Sequence, residues 1–387
     1  DDTHYQHVDL VIEAKTNDTD ATSAVEQIIK YMQNMLAQQH DRRYAIGLTI
    51  CNTMAKFVIC SPSLVVASTA MNLGTRAGCE SFIRLMVDLS VCSVDMIGLD
   101  SSMQRLDMQD DGELLYRMRV ANMDYFAKCI QPVEYIIGDY LRRFDGWADE
   151  ACVGNPQFLV QDSWPLTNPN GDARNEVDQL HRIHTEYGGN EVYAGMYPTV
   201  HLSGRVYQPT PGGAMGQEDT TAALFAGLHD DRGRLKQWGR THQRDVLGYV
   251  GVPTLQCENV HEFIIAVVDA LTMCTRVYED TGILYRNIDI RNIFFQVAGG
   301  VARGCLIGYG DALDTRAQVV PGARAEMHQP LVLRPILSLE RVDVPHTILF
   351  AIESLLYLVF WMAIFGVRKS DRINFDGMLD KNLNIKF

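Results

Sequence analysis

The spacing of apolar and polar positions changes several times along this chain, and each change predicts an element. Over residues 7–15 the two kinds alternate. Leu10, Ile12 and Ala14 point one way and Asp9, Glu13 and Lys15 the other, which is the period of a strand. A polar stretch follows, and Asp20 is placed to cap a helix running to about Gln38, with Val25, Ile28, Ile29, Met32, Met35 and Leu36 at helical spacing. Residues 44–50 and 56–60 predict a hairpin, and 79–93 a second amphipathic helix. The stretch 107–149 mixes both periods and predicts no definite element. Beyond it come a short buried strand at 158–160, a helix over 174–184 closed by Gly188 and Gly189, and a loop or inserted linker over 209–220. The clearest helix covers 259–280. Val260, Phe263, Ile264, Val267, Val268, Leu271 and Val277 form its apolar stripe, and Gly282 stops it. Short strands at 283–285, 293–296 and 305–309 follow, then an apolar helix over 347–367.

Composition narrows the picture. Of 387 residues, 47% are apolar and 21% charged, which excludes a disordered or fibrous chain. Asp and Glu number 48 against 34 Lys and Arg, and a net charge of −14 repels phosphate backbones, so nucleic acid is not an expected partner. The nine cysteines include no CxxC pair and sit mostly in apolar runs. They predict reduced, buried thiols in a cytoplasmic or nuclear protein, with neither a disulfide framework nor a zinc site. His181 and His184 could share a helix face, but no third ligand accompanies them, so no metal is expected there. Residues 347–367 hold one charge, Glu353, and the uncharged run from Ser354 to Val367 has 14 residues. A span needs about 20 apolar residues, so this run predicts a core helix enclosing Trp361 and no membrane partner.

From 259 onward the motifs resemble those of the fungal-type protein kinase family. The long helix is followed by Gly282-Ile283-Leu284-Tyr285-Arg286-Asn287-Ile288-Asp289-Ile290-Arg291-Asn292-Ile293, then Leu306-Ile307-Gly308-Tyr309-Gly310, then a helix with Ala351-Ile352-Glu353-Ser354 and Trp361. Upstream, Val160-Gln161-Asp162-Ser163-Trp164 is similar to the family's Val-Lys-Asp-Ser-Trp strand, and Glu176 stands where the partner of that Lys is expected. Residues 38–52, with Arg42 and Arg43, resemble the family's N-terminal extension. The resemblance implies a bilobal kinase-like domain over 131–387, with an N-lobe to about 255 and a C-lobe from about 256 that need not be complete.

The departures fall on the chemistry. Phosphoryl transfer needs a Lys on the phosphates, an Asp to accept the hydroxyl proton, and an Asn and an Asp on Mg²⁺. Gln161 stands for the Lys, Asn287 for the catalytic Asp and Gly308 for the metal Asp, while Tyr285 replaces a His and Ala351 a bracing Asp. Asn292 and Glu176 remain, and Gly138 and Gly154 are too isolated to make a Gly-rich loop. The expectation is a pseudokinase without catalytic residues or cofactor, used as a scaffold or regulatory subunit for protein partners. The alternative is an atypical Mg-ATP-dependent kinase relying on Asn292, Asp289 and Asp311.

The N-terminal part carries a second resemblance. Asp9, Glu13 and Lys15 on a strand, followed by Gln27 and Tyr31 on a helix, are similar to the PD-(D/E)xK nucleases, in which carboxylates hold Mg²⁺ and a Lys polarises water or phosphate. The competing expectation is an amphipathic strand with a solvated polar face. The expected fold class is therefore α+β, with an α/β domain over residues 1–130 resembling the restriction-endonuclease-like fold ahead of the kinase-like domain. A metal-dependent nuclease is the third functional class.

Overall fold

A computed structural model of the chain describes residue 5 and residues 7–106, 114–130, 141–152, 154–167, 176–208, 216–225, 239–298, 300–316, 329–340 and 344–365. The chain is mixed α+β with several sheets. It divides into two compact units, one of residues 1–174 and 201–247, the other of residues 175–200 and 248–387.

The first unit opens with β1 (Val11–Lys15) and α1 (Ala21–Gln38), then β2 (Ala45–Cys51), which returns parallel to β1 with Glu13 opposite Thr49. β3 (Met54–Cys60) pairs antiparallel to β2, and β4 (Val65–Ala67) and β5 (Met71–Asn72) pair with β3. Ile28, Met32, Met35 and Leu36 of α1 pack on Val11, Ala45 and Val58 of the sheet, so the predicted helical stripe is the buried one. On β1 the faces are the reverse of an amphipathic strand with a solvated polar side. Ile12 is 53% exposed while Glu13 is 8% exposed. α1 covers the odd-numbered side, and its Gln27 satisfies the polar groups there. α2 (Arg76–Val91) is capped by Thr75, whose hydroxyl accepts from the Gly78 amide, and buries none of its residues.

A seven-stranded sheet follows, in the order β11-β14-β10-β9-β8-β7-β6. Its strands are β6 (Met103–Arg105), β7 (Leu115–Val120), β8 (Met123–Cys129), β9 (Leu141–Trp147), β10 (Phe158–Ser163), β11 (Val200–Arg205) and β14 (Gln243–Gly248). The described part of the indefinite stretch is thus mostly strand, and residue 130 lies between the adjacent β8 and β9. Between β11 and β14, β12 (Tyr207–Gln208) and β13 (Gln217–Glu218) form a short ladder, and Thr220 caps a single helical turn. This segment is more than the predicted linker, because Asp219 and Thr221 are buried. Residues 209–215 lie outside the described ones.

The second unit is organised around the helix predicted most clearly. Helix α3 (Glu176–Tyr187) is followed by β15 (Val252–Pro253) and α4 (Val260–Thr281). Asn259 caps the start of α4, its Oδ1 accepting from the Glu262 backbone amide at 3.0 Å, and its side-chain nitrogen donates to the Glu262 carboxylate at 2.9 Å. The buried stripe is Phe263, Ala266, Val267, Ala270, Met273, Cys274 and Val277, while Val260, Ile264 and Val268 are exposed. The rotation has a steric cause. β18 (Val301–Leu306) lies so close that a Cβ at Gly304 would stand 2.4 Å from the Ala266 Cα, so small residues face it. β15, β17 (Ile293–Ala298) and β18 make one sheet, and β16 (Ile283–Leu284) pairs with β19 (Leu313–Asp314).

Helix α5 (Ile348–Phe365) buries Phe350, Ala351, Ser354, Leu355, Leu358 and Met362. Its other face is exposed at Leu349, Leu356, Phe360 and Ile364, and Trp361 is half-buried rather than enclosed. Among the described residues no helix is long and apolar enough to cross a membrane.

Candidate functional site

The residues singled out for kinase chemistry in the second unit meet around two turns, one after β16 and one after β18. Tyr285 is buried and donates its hydroxyl to the Ile307 carbonyl at 2.6 Å, its ring edge-on to Tyr309. Arg286 donates to the Asp311 carbonyl at 2.8 Å, and the Asn287 side-chain nitrogen donates to the Asp311 carboxylate at 3.0 Å. Among the described residues the buried Asn287 Oδ1 has no hydrogen-bond partner. Asp289 is buried and engaged, accepting from the Arg291 amide and guanidinium at 2.9 Å each. Asn292 donates to the Asn287 carbonyl at 2.9 Å, and its own carbonyl accepts from the Ile307 amide at 2.9 Å. Sequence order had separated these residues, and the pairings of β16 with β19 and of β17 with β18 bring the two turns together.

Gly308 is left-handed, at φ +81°, and caps a 3-10 turn from Tyr309 to Asp311. A Cβ there would stand 3.0 Å from the Asn292 Cγ. The Glu176 carboxylate sits on this turn, accepting from the Gly308 amide at 2.8 Å and the Tyr309 amide at 3.0 Å. The rest of α3 is tied down as well. Arg182 pairs with Asp314 at 2.7 Å and donates to the Thr281 carbonyl, and Tyr187 donates to Asp280 at 2.6 Å. Burial pushes the Tyr309 hydroxyl and the Cys274 and Cys305 thiols far up, so none of them ionises near neutrality. None of the nine cysteines is in a disulfide. His184 contacts the Tyr197 hydroxyl at 3.4 Å.

In the first unit Gln161 lies on β10, buried, and among the described residues its side-chain nitrogen has no hydrogen-bond partner. Four of the five residues of the N-terminal constellation come together. Lys15 pairs with Glu13 at 2.8 Å and donates to Gln27 at 2.8 Å, and Gln27 donates to the Tyr31 hydroxyl at 2.6 Å. The hydrogen bond to Glu13 raises the Lys15 pKa. Asp9 is not part of this chain of contacts. Its side chain is mostly exposed and pairs with Arg42 at 3.0 Å.

The sequence pattern gave no sign of a buried polar cluster around Arg244. Asp100, Asp162 and His242 are the group of three ligand-type side chains close enough to share a metal among the described residues. The slot between them is filled by Arg244, whose guanidinium lies 2.8 Å from Asp100 and 2.9 Å from Asp162. A guanidinium in contact with both carboxylates excludes a cation of the same sign.

The family model for fungal protein kinases matches residues 1–187 and 170–363. The chain belongs to that family, and it is a kinase-related protein. No curated protein matches the chain.

Proposed function

We propose that this protein is a catalytically inactive, bilobal member of the fungal protein kinase family that works through protein–protein contacts, as a scaffold or regulatory subunit in the cytoplasm or nucleus. The observation that carries this reading is the arrangement at Asn287 and Gly308. An amide stands where transfer needs a carboxylate, and its nitrogen is hydrogen-bonded to Asp311, the nearest acid that could replace it. Mg-ATP, the cofactor of the active family, does not fit this donor set. Gly308 offers no side chain, and its left-handed backbone and the adjacent Asn292 leave little room for one. Glu176, the expected partner of a phosphate-binding Lys, accepts instead from two backbone amides. Asp289 is engaged by Arg291 and so supports the atypical-kinase alternative poorly.

The test is radiolabelled phosphate transfer to itself or a generic substrate by the unmodified chain, with a thermal-shift titration of Mg-ATP beside it. No transfer and no shift are expected. Transfer abolished by Asn292→Ala and by Asp311→Asn would overturn the reading in favour of a kinase.

One observation favours a second reading, a nuclease-like N-terminal fold. Glu13, Lys15, Gln27 and Tyr31 assemble on a strand and the helix that follows it. They bring one carboxylate, fewer than metal-dependent hydrolysis uses, so the proposal is a remnant without activity. Metal-dependent cleavage of DNA or RNA by the parent, lost in Glu13→Ala, would show otherwise.

A further inference from the structure

The N-terminal region and the seven-stranded sheet are joined by charged groups that no apolar pattern reveals. His242, on the approach to β14, has both ring nitrogens facing carboxylates: Nε2 lies 2.8 Å from Asp162 of β10 and Nδ1 2.8 Å from Asp219 of the segment between β13 and the helical turn. Its ring stacks on Trp164, with centroids 4.5 Å apart. Asp219 also pairs with Arg43, just before β2, at 2.9 Å. Asp162 shares Arg244 with Asp100. All six charged groups are buried.

A second joint lies nearby. Arg142 of β9 donates to the carbonyls of Leu36, Gln39, His40 and Arg42, covering the C-terminal end of α1, where carbonyls lack helical partners. Arg105 of β6 pairs with Asp41 at 2.7 Å.

We infer that residues 7–106 and the seven-stranded sheet are a single cooperative body, and that the chain Arg43–Asp219–His242–Asp162–Arg244–Asp100 is the buried latch that couples them. Two imidazole nitrogens between two carboxylates require two ring protons, so His242 is the third cation opposite three carboxylates. The latch is then neutral as a whole, which is what makes six buried charges tolerable. The groups facing His242 are Asp162, Asp219 and, at longer range, Asp100. Arg244 and Arg43 lie beyond the first two carboxylates. Loss of the His242 proton leaves the latch with net negative charge and one hydrogen bond fewer, so the latch opens on the alkaline side.

This goes beyond the proposed function and does not depend on it. Segment-resolved hydrogen exchange on the full chain tests it. At pH 7 the slowest amides of β2 and β3 should have the same protection as those of β9 and β10. Asp219→Asn should lower both sets together, by roughly a hundredfold to a thousandfold, the cost of removing one partner of a buried pair. β2 and β3 exchanging independently of β9 and β10 in the parent would overturn the inference. So would an effect of Asp219→Asn confined to residues 216–221. If Asp219→Asn does not fold, the parent is followed from pH 7 to 10 with intrinsic rates corrected. A parallel loss of protection in both sheets supports the latch, and loss in one alone overturns it.

Discussion

Two buried polar clusters of similar size behave differently in this protein. Around His242 every charged group meets an opposite one, and the side chains come from five separate stretches of chain, at Arg43, Asp100, Asp162, Asp219 and His242 with Arg244. Around Asn287 the contacts join two turns of the same unit, and among the described residues the buried Asn287 Oδ1 and Tyr309 hydroxyl have no hydrogen-bond partner. Buried polar atoms without partners cost stability, and their persistence is expected where a geometry was shaped for a ligand rather than for folding. The first cluster is a structural device. The second keeps the outline of a catalytic loop whose chemistry we propose has been lost.

Four measurements can break or sharpen this contrast. The largest effect belongs to the first cluster. Arg244→Met should cost about 3–5 kcal/mol, because it strands Asp100 and Asp162 in the interior. Urea unfolding measures it, and a loss below about 1 kcal/mol would remove the distinction between the clusters.

Next comes pH. The fully buried His242 loses some basicity to burial, but Asp162 and Asp219 outweigh that and hold its pKa up at about 9, from an ordinary 6.5. A raised folded value means extra stability, complete below pH 6.5 and lost as pH rises through 9, on the order of 3 kcal/mol. Burial raises the Asp245 carboxyl to about 6, so it adds a smaller loss as pH rises from 4 to 6. Thermal melts should therefore fall across pH 6.5–9 in the parent and stay flat there in His242→Gln.

In the second cluster Gly308→Asp, the change that would restore a metal ligand, should cost about 1–3 kcal/mol from its positive φ. It should not create Mg²⁺ binding, and calorimetric titration that detects tight Mg²⁺ binding in this variant would count against the inactive reading. The smallest effect is at β1. Ile12→Thr should change stability by no more than about 0.5 kcal/mol, whereas Val11→Ala, one residue earlier on the covered face, should cost more. The reverse order would contradict the orientation of the strand.

The elements with one clean period were legible in the sequence. α1, α4 and the β2–β3 hairpin fall within a few residues of their predicted bounds, because burial on one side leaves a repeating apolar mark. The strands of the large sheet were not legible. β9 reads Leu-Arg-Arg-Phe-Asp-Gly-Trp and β14 opens Gln-Arg-Asp, yet Arg142, Arg143, Arg244 and Asp245 are all buried. A charged residue marks a surface only when its counter-charge is water, and here the partners are far away in sequence. The same limit hid the latch, whose members run from Arg43 to Arg244, while the faces of β1 were reversed because α1 covers the side where Glu13, Lys15 and Gln27 satisfy one another.

By itself the sequence determined the family, the order of its motifs and the substitutions at Gln161, Asn287 and Gly308, since these depend only on which residue stands where. The tertiary structure decided which charges are buried, which face of α4 meets β18, and that Glu176 rests on the Gly308 and Tyr309 amides. Those outcomes follow from distances between residues remote in the chain, and a hydrogen bond or a close contact exists only once folding has set the distance.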